Sequence, residues 1–328
     1  MDGLDVTVLA APDRHQASEI LALLEKVETS TGHRALSEHK STELISASGR
    51  GGGLGHRSGA DNRGRAPFVA VLARRTGRSD LVGYAHLGRD LHSGHHVVEL
   101  VVDCATDDPA GVGDALLEAA VDDVARRGGG PIRLWVSRAD PVDDQRALAR
   151  GFRIERDLYQ MRCPLPLPRD PAETEPDQAI DTRPFRPGVD EAAWLATNNR
   201  AFASHPEQGH WDLATLLERE KEPWFNADGL LMLEVDGRIA GSCWTKIHAD
   251  SDPPLGEIYV IGVDPDFHGR GWGRALTRAG LDWLARAGLS VGMLYVDAGN
   301  VAALTMYRSM GFVEHHVDRA YVSRADRR

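Results

Sequence analysis

A chain of 328 residues is long for one hydrophobic core and comfortable for two, since single cores seldom grow beyond about 250–300 residues. Its 42% hydrophobic residues are enough to pack, which excludes wholesale disorder, and no apolar run approaches the roughly 20 residues that cross a bilayer. Forty-nine acidic against 38 basic residues leave a net charge of -11, the wrong sign for a general polyanion binder, so neither nucleic acid nor membrane is expected as a partner.

The opening residues Met1-Asp2-Gly3-Leu4-Asp5 carry acid where an export signal carries base. The three cysteines, Cys104, Cys163 and Cys243, form neither a CxxC pair nor a disulfide framework. Both features predict a cytoplasmic protein, and a monomer is expected.

After an early helix, residues 48–66 (SGRGGGLGHRSGADNRGRA) are rich in Gly and Arg and nearly free of large apolar side chains. Such a stretch cannot offset its ordering entropy by burial and reads as a surface insertion in preference to a basic arm for phosphate or RNA. Residues 68–73, 81–87 and 97–102 then read as strands. His92-Ser93-Gly94-His95-His96 has no second set of ligands at metal spacing and reads as a hairpin turn; no metal is expected. Gly111-Val112-Gly113 opens a helix, residues 132–136 form a strand, and Gly151-Phe152 precedes another. From Cys163 to Asp181 five prolines crowd together, as in an extended linker.

Past the linker the same order of elements returns. Residues 229–235 and 238–248 are a hairpin around Asp236-Gly237, and 257–263 is a strand ending at Asp264-Pro265. Gly271-Trp272-Gly273 opens an amphipathic helix reaching Ala285. A strand at 291–296, a helix at 301–310 and Gly311-Phe312 before a last strand complete the pattern. Gly113 to Gly273, Trp135 to Tyr295 and Gly151 to Gly311 are all separated by 160 residues. Three landmarks in one register mark a tandem duplication. The expected fold is α/β (α+β), with two domains that each hold a mixed, mostly antiparallel sheet flanked by helices. The expected divisions are 1–163, a linker at 164–180, and 181–328.

In the second copy, Val263-Asp264-Pro265 followed by His268-Gly269-Arg270-Gly271-Trp272-Gly273 takes a strand through a glycine-rich turn into a helix. The first N–H groups of that helix point outward at the positive end of its dipole, a cradle for pyrophosphate. No Gly-Lys-Ser/Thr follows, so this is not a Walker loop, and its place late in an antiparallel set argues against a dinucleotide fingerprint.

In this context the segment resembles the GCN5-related N-acetyltransferase superfamily, with His268 where its Arg/Gln-x-x-Gly-x-Gly/Ala signature has Arg or Gln. Asn300 to Phe312 (NVAALTMYRSMGF) resembles the second conserved block of that superfamily. The resemblance implies acetyl-CoA as co-substrate, wedged between two splayed strands. Glu257 begins the strand leading to the cradle and is the expected general base, acting through a water. Tyr307 is the expected acid for the departing thiolate, and a backbone N–H near Val263 the expected oxyanion donor. Projected back by the repeat, Tyr307 falls on Ala147, and Glu257 on Val97, or on His96 with a one-residue slip. The first copy is therefore expected to be non-catalytic.

Leu36-Ser37-Glu38, His205-Pro206-Glu207-Gln208-Gly209, Trp244-Thr245-Lys246 and the stretch from Gly256 to Pro265 further resemble the mycothiol synthase family, whose members are tandem acetyltransferases. That resemblance implies acetyl transfer to the cysteine amine of cysteinyl-glucosaminyl-inositol, a small-molecule amine held by Glu38, Glu207, Lys246, Glu257 and Tyr295. It implies CoA contacts at Ile261, Gly262 and Val263; at His268, Gly269, Arg270, Gly271, Trp272, Gly273 and Arg274; and at Asn300, Val301, Ala302, Ala303, Leu304 and Thr305. The matching stretches of the first copy are Leu100, Val101 and Val102, with Asp108, Pro109, Ala110, Gly111, Val112 and Gly113, where acids oppose a phosphate. Two alternatives are an acetyltransferase for another amine (a protein N-terminus, polyamine or aminoglycoside) and a non-catalytic acyl-CoA sensor.

Overall fold

In the computed structural model, residues 3–48, 68–90, 93–167, 180–203 and 208–326 are described. Most of the Gly/Arg-rich insertion, His92, most of the Pro-rich stretch and Glu207 lie outside them. The chain divides into two compact units, residues 1–157 with 318–328, and residues 158–317.

The first unit contains β1 (Leu4–Leu9), α1 (Arg14–Thr31), α2 (Glu38–Ser48), β2 (Val69–Arg75), β3 (Leu81–Arg89), β4 (His96–Val102), α3 (Pro109–Arg126), β5 (Gly130–Val136) and α4 (Pro141–Ala149). β6 (Arg153–Pro164) starts in this unit and continues from residue 158 as a strand of the second. The second unit adds β7 (Thr182–Pro184), α5 (Glu191–Ala201), α6 (Leu213–Arg219), β8 (Leu230–Val235), β9 (Arg238–His248), β10 (Leu255–Val263), α7 (Trp272–Arg286), β11 (Val291–Asp297) and α8 (Val301–Ser309). The last strand, β12 (Val313–Ala325), supplies residues 319–325 to the first unit, paired with β5. The predicted strands and helices match these limits to within a few residues.

Both units share one pairing scheme. β1 to β4 are successively antiparallel, β4 pairs with β5 in parallel, and β12 closes antiparallel on β5. In the second unit β7 to β10 are antiparallel, β10 and β11 are parallel, and β6 closes antiparallel on β11. The single parallel pair forces a crossover, which α3 makes in one unit and α7 in the other. Their buried residues fall at helical spacing and in the same 160-residue register: Leu116, Ala120 and Val124 against Leu276, Gly280 and Leu284. Each unit has a core on both faces of its sheet, which makes its central strands nearly continuous apolar runs. Among the described residues no helix is long and apolar enough to cross a membrane.

An ion cluster anchors β12 in the first unit. The Arg319 guanidinium donates to both oxygens of Asp157 at 2.6 and 2.8 Å and to Asp144 at 2.7 and 2.9 Å, while the Tyr321 hydroxyl donates to Asp144 at 2.6 Å. R319M leaves two half-buried carboxylates without their cation. It should cost about 2–3 kcal/mol, between the limits for surface and buried pairs, read as an earlier first transition in urea at pH 7. A shift below about 0.5 kcal/mol would make the cluster a surface feature.

Candidate active site

The parallel pair in the second unit parts early. β10 pairs with β11 from Leu255–Val291 to Ile258–Leu294, whereas the two strands run on to Val263 and Asp297. A register shift between Ile258 and Val260 against β9 inserts Tyr259 as an extra residue where the parting begins. The backbone beyond is free of its parallel neighbour and can pair with an extended ligand. From Glu257 to Val263 the strand covers about 20 Å, leading from the expected base to the cradle.

The cradle follows a short 3-10 turn at Pro265–Phe267. Gly269 (φ +77°) and Gly271 (φ +76°) hold the left-handed backbone that glycine permits. Gly271 caps α7 without a side-chain hydrogen bond, and the first intrahelical bond runs from Ala275 N–H to Gly271 O at 3.2 Å. The preceding N–H groups are thus left for an outside anion. A Cβ on Gly273 would meet only Met306 Sδ, at 3.9 Å. The His268 ring lies against the strand end, Nε2 donating to Val263 O at 2.9 Å. Arg270 stacks over Phe267 and Trp272 at 5.5 and 5.1 Å, and Arg274 donates to Ser309 Oγ at 2.7 Å. Asn300 caps α8, accepting from Ala303 N–H at 3.1 Å, so Val301, Ala302, Ala303, Leu304 and Thr305 form its first turns.

Glu257 lies directly opposite Lys246 of β9 and is 7% exposed. Its Oε2 accepts from His248 Nε2 at 2.6 Å. The buried Lys246 ammonium sits 4.4 Å from the ring centre of Trp224 and 5.4 Å from that of Tyr259, so aromatic faces help compensate its desolvation. Tyr295, 39% exposed, follows the last paired residue of β11, and its hydroxyl accepts from the Gln160 amide at 2.8 Å. Tyr307 is buried on α8 against Phe312, ring centres 5.6 Å apart. Burial pushes its phenol well above the usual range, so it stays protonated at neutral pH. Among the described residues its hydroxyl has no hydrogen-bond partner.

Strand register thus brings Lys246 and Glu257 together and sets Tyr295 on the adjoining strand. Glu38 belongs to the first unit, where it opens α2 with Arg34 3.6 Å away. Sequence alone does not single out Trp224, Tyr259 and Gln160, which gather around the site through strand pairing and ring contacts. A signal existed for His248, which shares a strand face with Lys246 two residues earlier.

The first unit offers a contrast. Pairing of β3 with β4 runs without a shift from Gly83–Val102 to Arg89–His96, which sets Val97 at the place of Glu257 and Gly88 at that of Lys246. The Phe152 N–H to Ala147 O bond matches Phe312 N–H to Tyr307 O, both 3.1 and 3.0 Å long respectively, so Ala147 takes the place of Tyr307. The helix entry is self-capped: Asp108 Oδ1 accepts from Gly111 N–H at 2.9 Å, and Pro109-Ala110-Gly111-Val112-Gly113 forms the first turn of α3. Arg146, in the place of Met306, lies over Gly113 and binds Asp114 and Asp143 at 2.9 and 2.8 Å. Leu100, Val101 and Val102 end β4 beside this filled entry.

A sheet with one splayed parallel pair, an uncapped glycine-rich helix entry at its mouth and a carboxylate on the wall is the architecture of a CoA-dependent acetyltransferase. The acetyltransferase (GNAT) family profile matches residues 192–312, within the second unit. The chain is 40% identical to the mycothiol acetyltransferase of Acidimicrobium ferrooxidans, covering 95% of this chain and 96% of that one. It is 38% identical to that of Catenulispora acidiphila, covering 98% and 99%. Among solved structures, a GCN5-related N-acetyltransferase from Sphaerobacter thermophilus superposes with a TM-score of 0.67 at 20% identity, over 98% of this chain and 96% of that one. A tandem GNAT protein from the clavulanic acid biosynthesis pathway gives 0.62 at 18% identity, over 99% and 100%. The chain belongs to the mycothiol acetyltransferase family, and it is an acetyl-CoA-dependent N-acetyltransferase.

Proposed function

We propose that this enzyme transfers the acetyl group of acetyl-CoA to the cysteine amine of cysteinyl-glucosaminyl-inositol, the last step of mycothiol synthesis, and that the second unit does the chemistry. The observation that carries this reading is the near full-length likeness to mycothiol acetyltransferases. Support comes from the polar group of Lys246, Glu257 and Tyr295 beside the parted strands. An amine attached to two polyhydroxylated rings needs carboxylates and hydrogen-bonding groups converging on it. Glu38 and Glu207 are proposed as further acceptor contacts.

Glu257 takes a proton from the amine through a water, and the amine nitrogen attacks the thioester carbonyl. Backbone N–H near Val263 stabilises the oxyanion. The carbon–sulfur bond then breaks, and Tyr307 gives its proton to the thiolate. The α7 entry, from His268 to Arg274, binds pyrophosphate, and residues 300–305 complete the CoA contacts. The first unit, lacking a base and an acid at the matching positions, is proposed as non-catalytic.

Mass-resolved product formation tests the acceptor. With acetyl-CoA and an equimolar mixture of the thiol glycoside, spermidine and an N-terminal peptide, the expected result is a product one acetyl heavier, on the amine of the glycoside alone. Acetylation of a competitor keeps the chemistry and discards the acceptor. No transfer to any of them, with CoA bound, favours a sensor.

A further inference from the structure

The proposed base has one side-chain partner among the described residues, His248, which takes no other part in the proposed reaction. We infer that His248 is a positioning residue for Glu257, an inference that rests on the reading of Glu257 as base. Lys246 and His248 project from one face of β9, and Glu257, directly opposite Lys246, reaches diagonally to His248. Nε2 and Oε2 are 2.6 Å apart, and the two side chains are 17% and 10% exposed. An ionised carboxylate only accepts, so this bond puts a proton on Nε2. Such a charge-assisted bond in a shielded place is short and directional.

The consequence falls on the other oxygen. A glutamate held only at its backbone samples several rotamers. Tied through Oε2, the carboxylate keeps Oε1, which no described residue engages, in one orientation for the water that receives the amine proton. This is the arrangement of a base oriented by a third group. In the first unit Val97 stands in the place of Glu257, opposite Gly88, so that copy has no carboxylate there to accept such a bond. The His–Glu tie is thus confined to the copy that carries the proposed base.

The test uses one amide at two reaches. In the full-length enzyme, Gln at position 248 can still donate to Glu257, whereas Asn, one methylene shorter, cannot. The expected result is that H248N lowers kcat about 10–100-fold, as a displaced catalytic group does, while the KM for acetyl-CoA is unchanged. H248Q should run at least about fivefold faster than H248N, and H248N added to E257Q should slow the reaction no further, since the two act as a unit. Equal kcat values for H248N and H248Q, with both melting like wild type, overturn the positioning role, as do losses that multiply in the double variant. In either case a slow E257Q leaves the base standing. An E257Q enzyme as fast as wild type removes the base and this inference together.

Discussion

E257Q and Y307F are each expected to lower kcat about 10²–10⁴-fold, the range for lost acid–base help. Both substitutions nearly keep shape, which separates chemistry from folding. The Tyr307 ring packs against Phe312, and a phenylalanine keeps that contact; the hydroxyl that is lost has no hydrogen-bond partner among the described residues. Stability in Y307F should therefore hold or rise slightly, because no intramolecular bond is given up. A residue that served only packing would show no change in rate. For E257Q, the new amide oxygen can still accept from His248 Nε2, so the tie survives while the proton-accepting group is gone. Single-turnover rates with acetyl-CoA in excess are the measurement. Unchanged rates in both variants would remove the two role assignments while leaving the fold and cradle as described.

Much of the architecture was legible because it depends on local backbone demands. Gly151 and Gly311, each followed by Phe, hold φ of +75° and +90° after their helices, a conformation glycine meets without strain. The amphipathic helix at 272–286 announced itself by spacing alone. What stayed hidden depends on partners far away in sequence. Arg146 occupies the same helical position as Met306 and gives no local sign that it will lie over Gly113. The set of half-buried Glu43 with buried His86 and Tyr84 forms only once α2 packs on β3, with Tyr84 Oη 2.8 Å from His86 Nδ1 and Glu43 Oε2 3.0 Å from Nε2. The pairing of Leu158 to Pro164 with β11 was equally silent: a strand after Gly151-Phe152 is expected, but nothing local says that its far end will close on a strand of the second unit. The Glu257–Val97 correspondence, by contrast, could be read from the repeat, since strand register preserves spacing except at a bulge.

That asymmetry predicts the outcome of placing one charge at two matching glycines. G273E should abolish activity, while G113E should leave measurable turnover. The new side chain at 273 has room, with only Met306 Sδ within 4 Å of the added Cβ, so the variant should fold. Its carboxylate would settle on the uncapped N–H groups of α7, where the helix dipole favours it by about 0.3–1 kcal/mol. It would then both occupy the cradle and repel pyrophosphate, by up to about 4 kcal/mol for each charge pair 4 Å apart near a protein surface. At position 113 the added Cβ lies 3.2 Å from the Arg146 guanidinium carbon, a flexible group that can shift and pair with the new acid. Nothing is displaced there, because Asp108 already holds the Gly111 N–H. Titration calorimetry with acetyl-CoA should accordingly find one equivalent per chain in wild type and in G113E, and none in G273E. Two equivalents in wild type would show that Asp108 and Arg146 yield to the ligand. Equal loss of activity in folded G113E and G273E would mean that the first unit's helix entry also serves the reaction, and the division of labour between the two copies would fall.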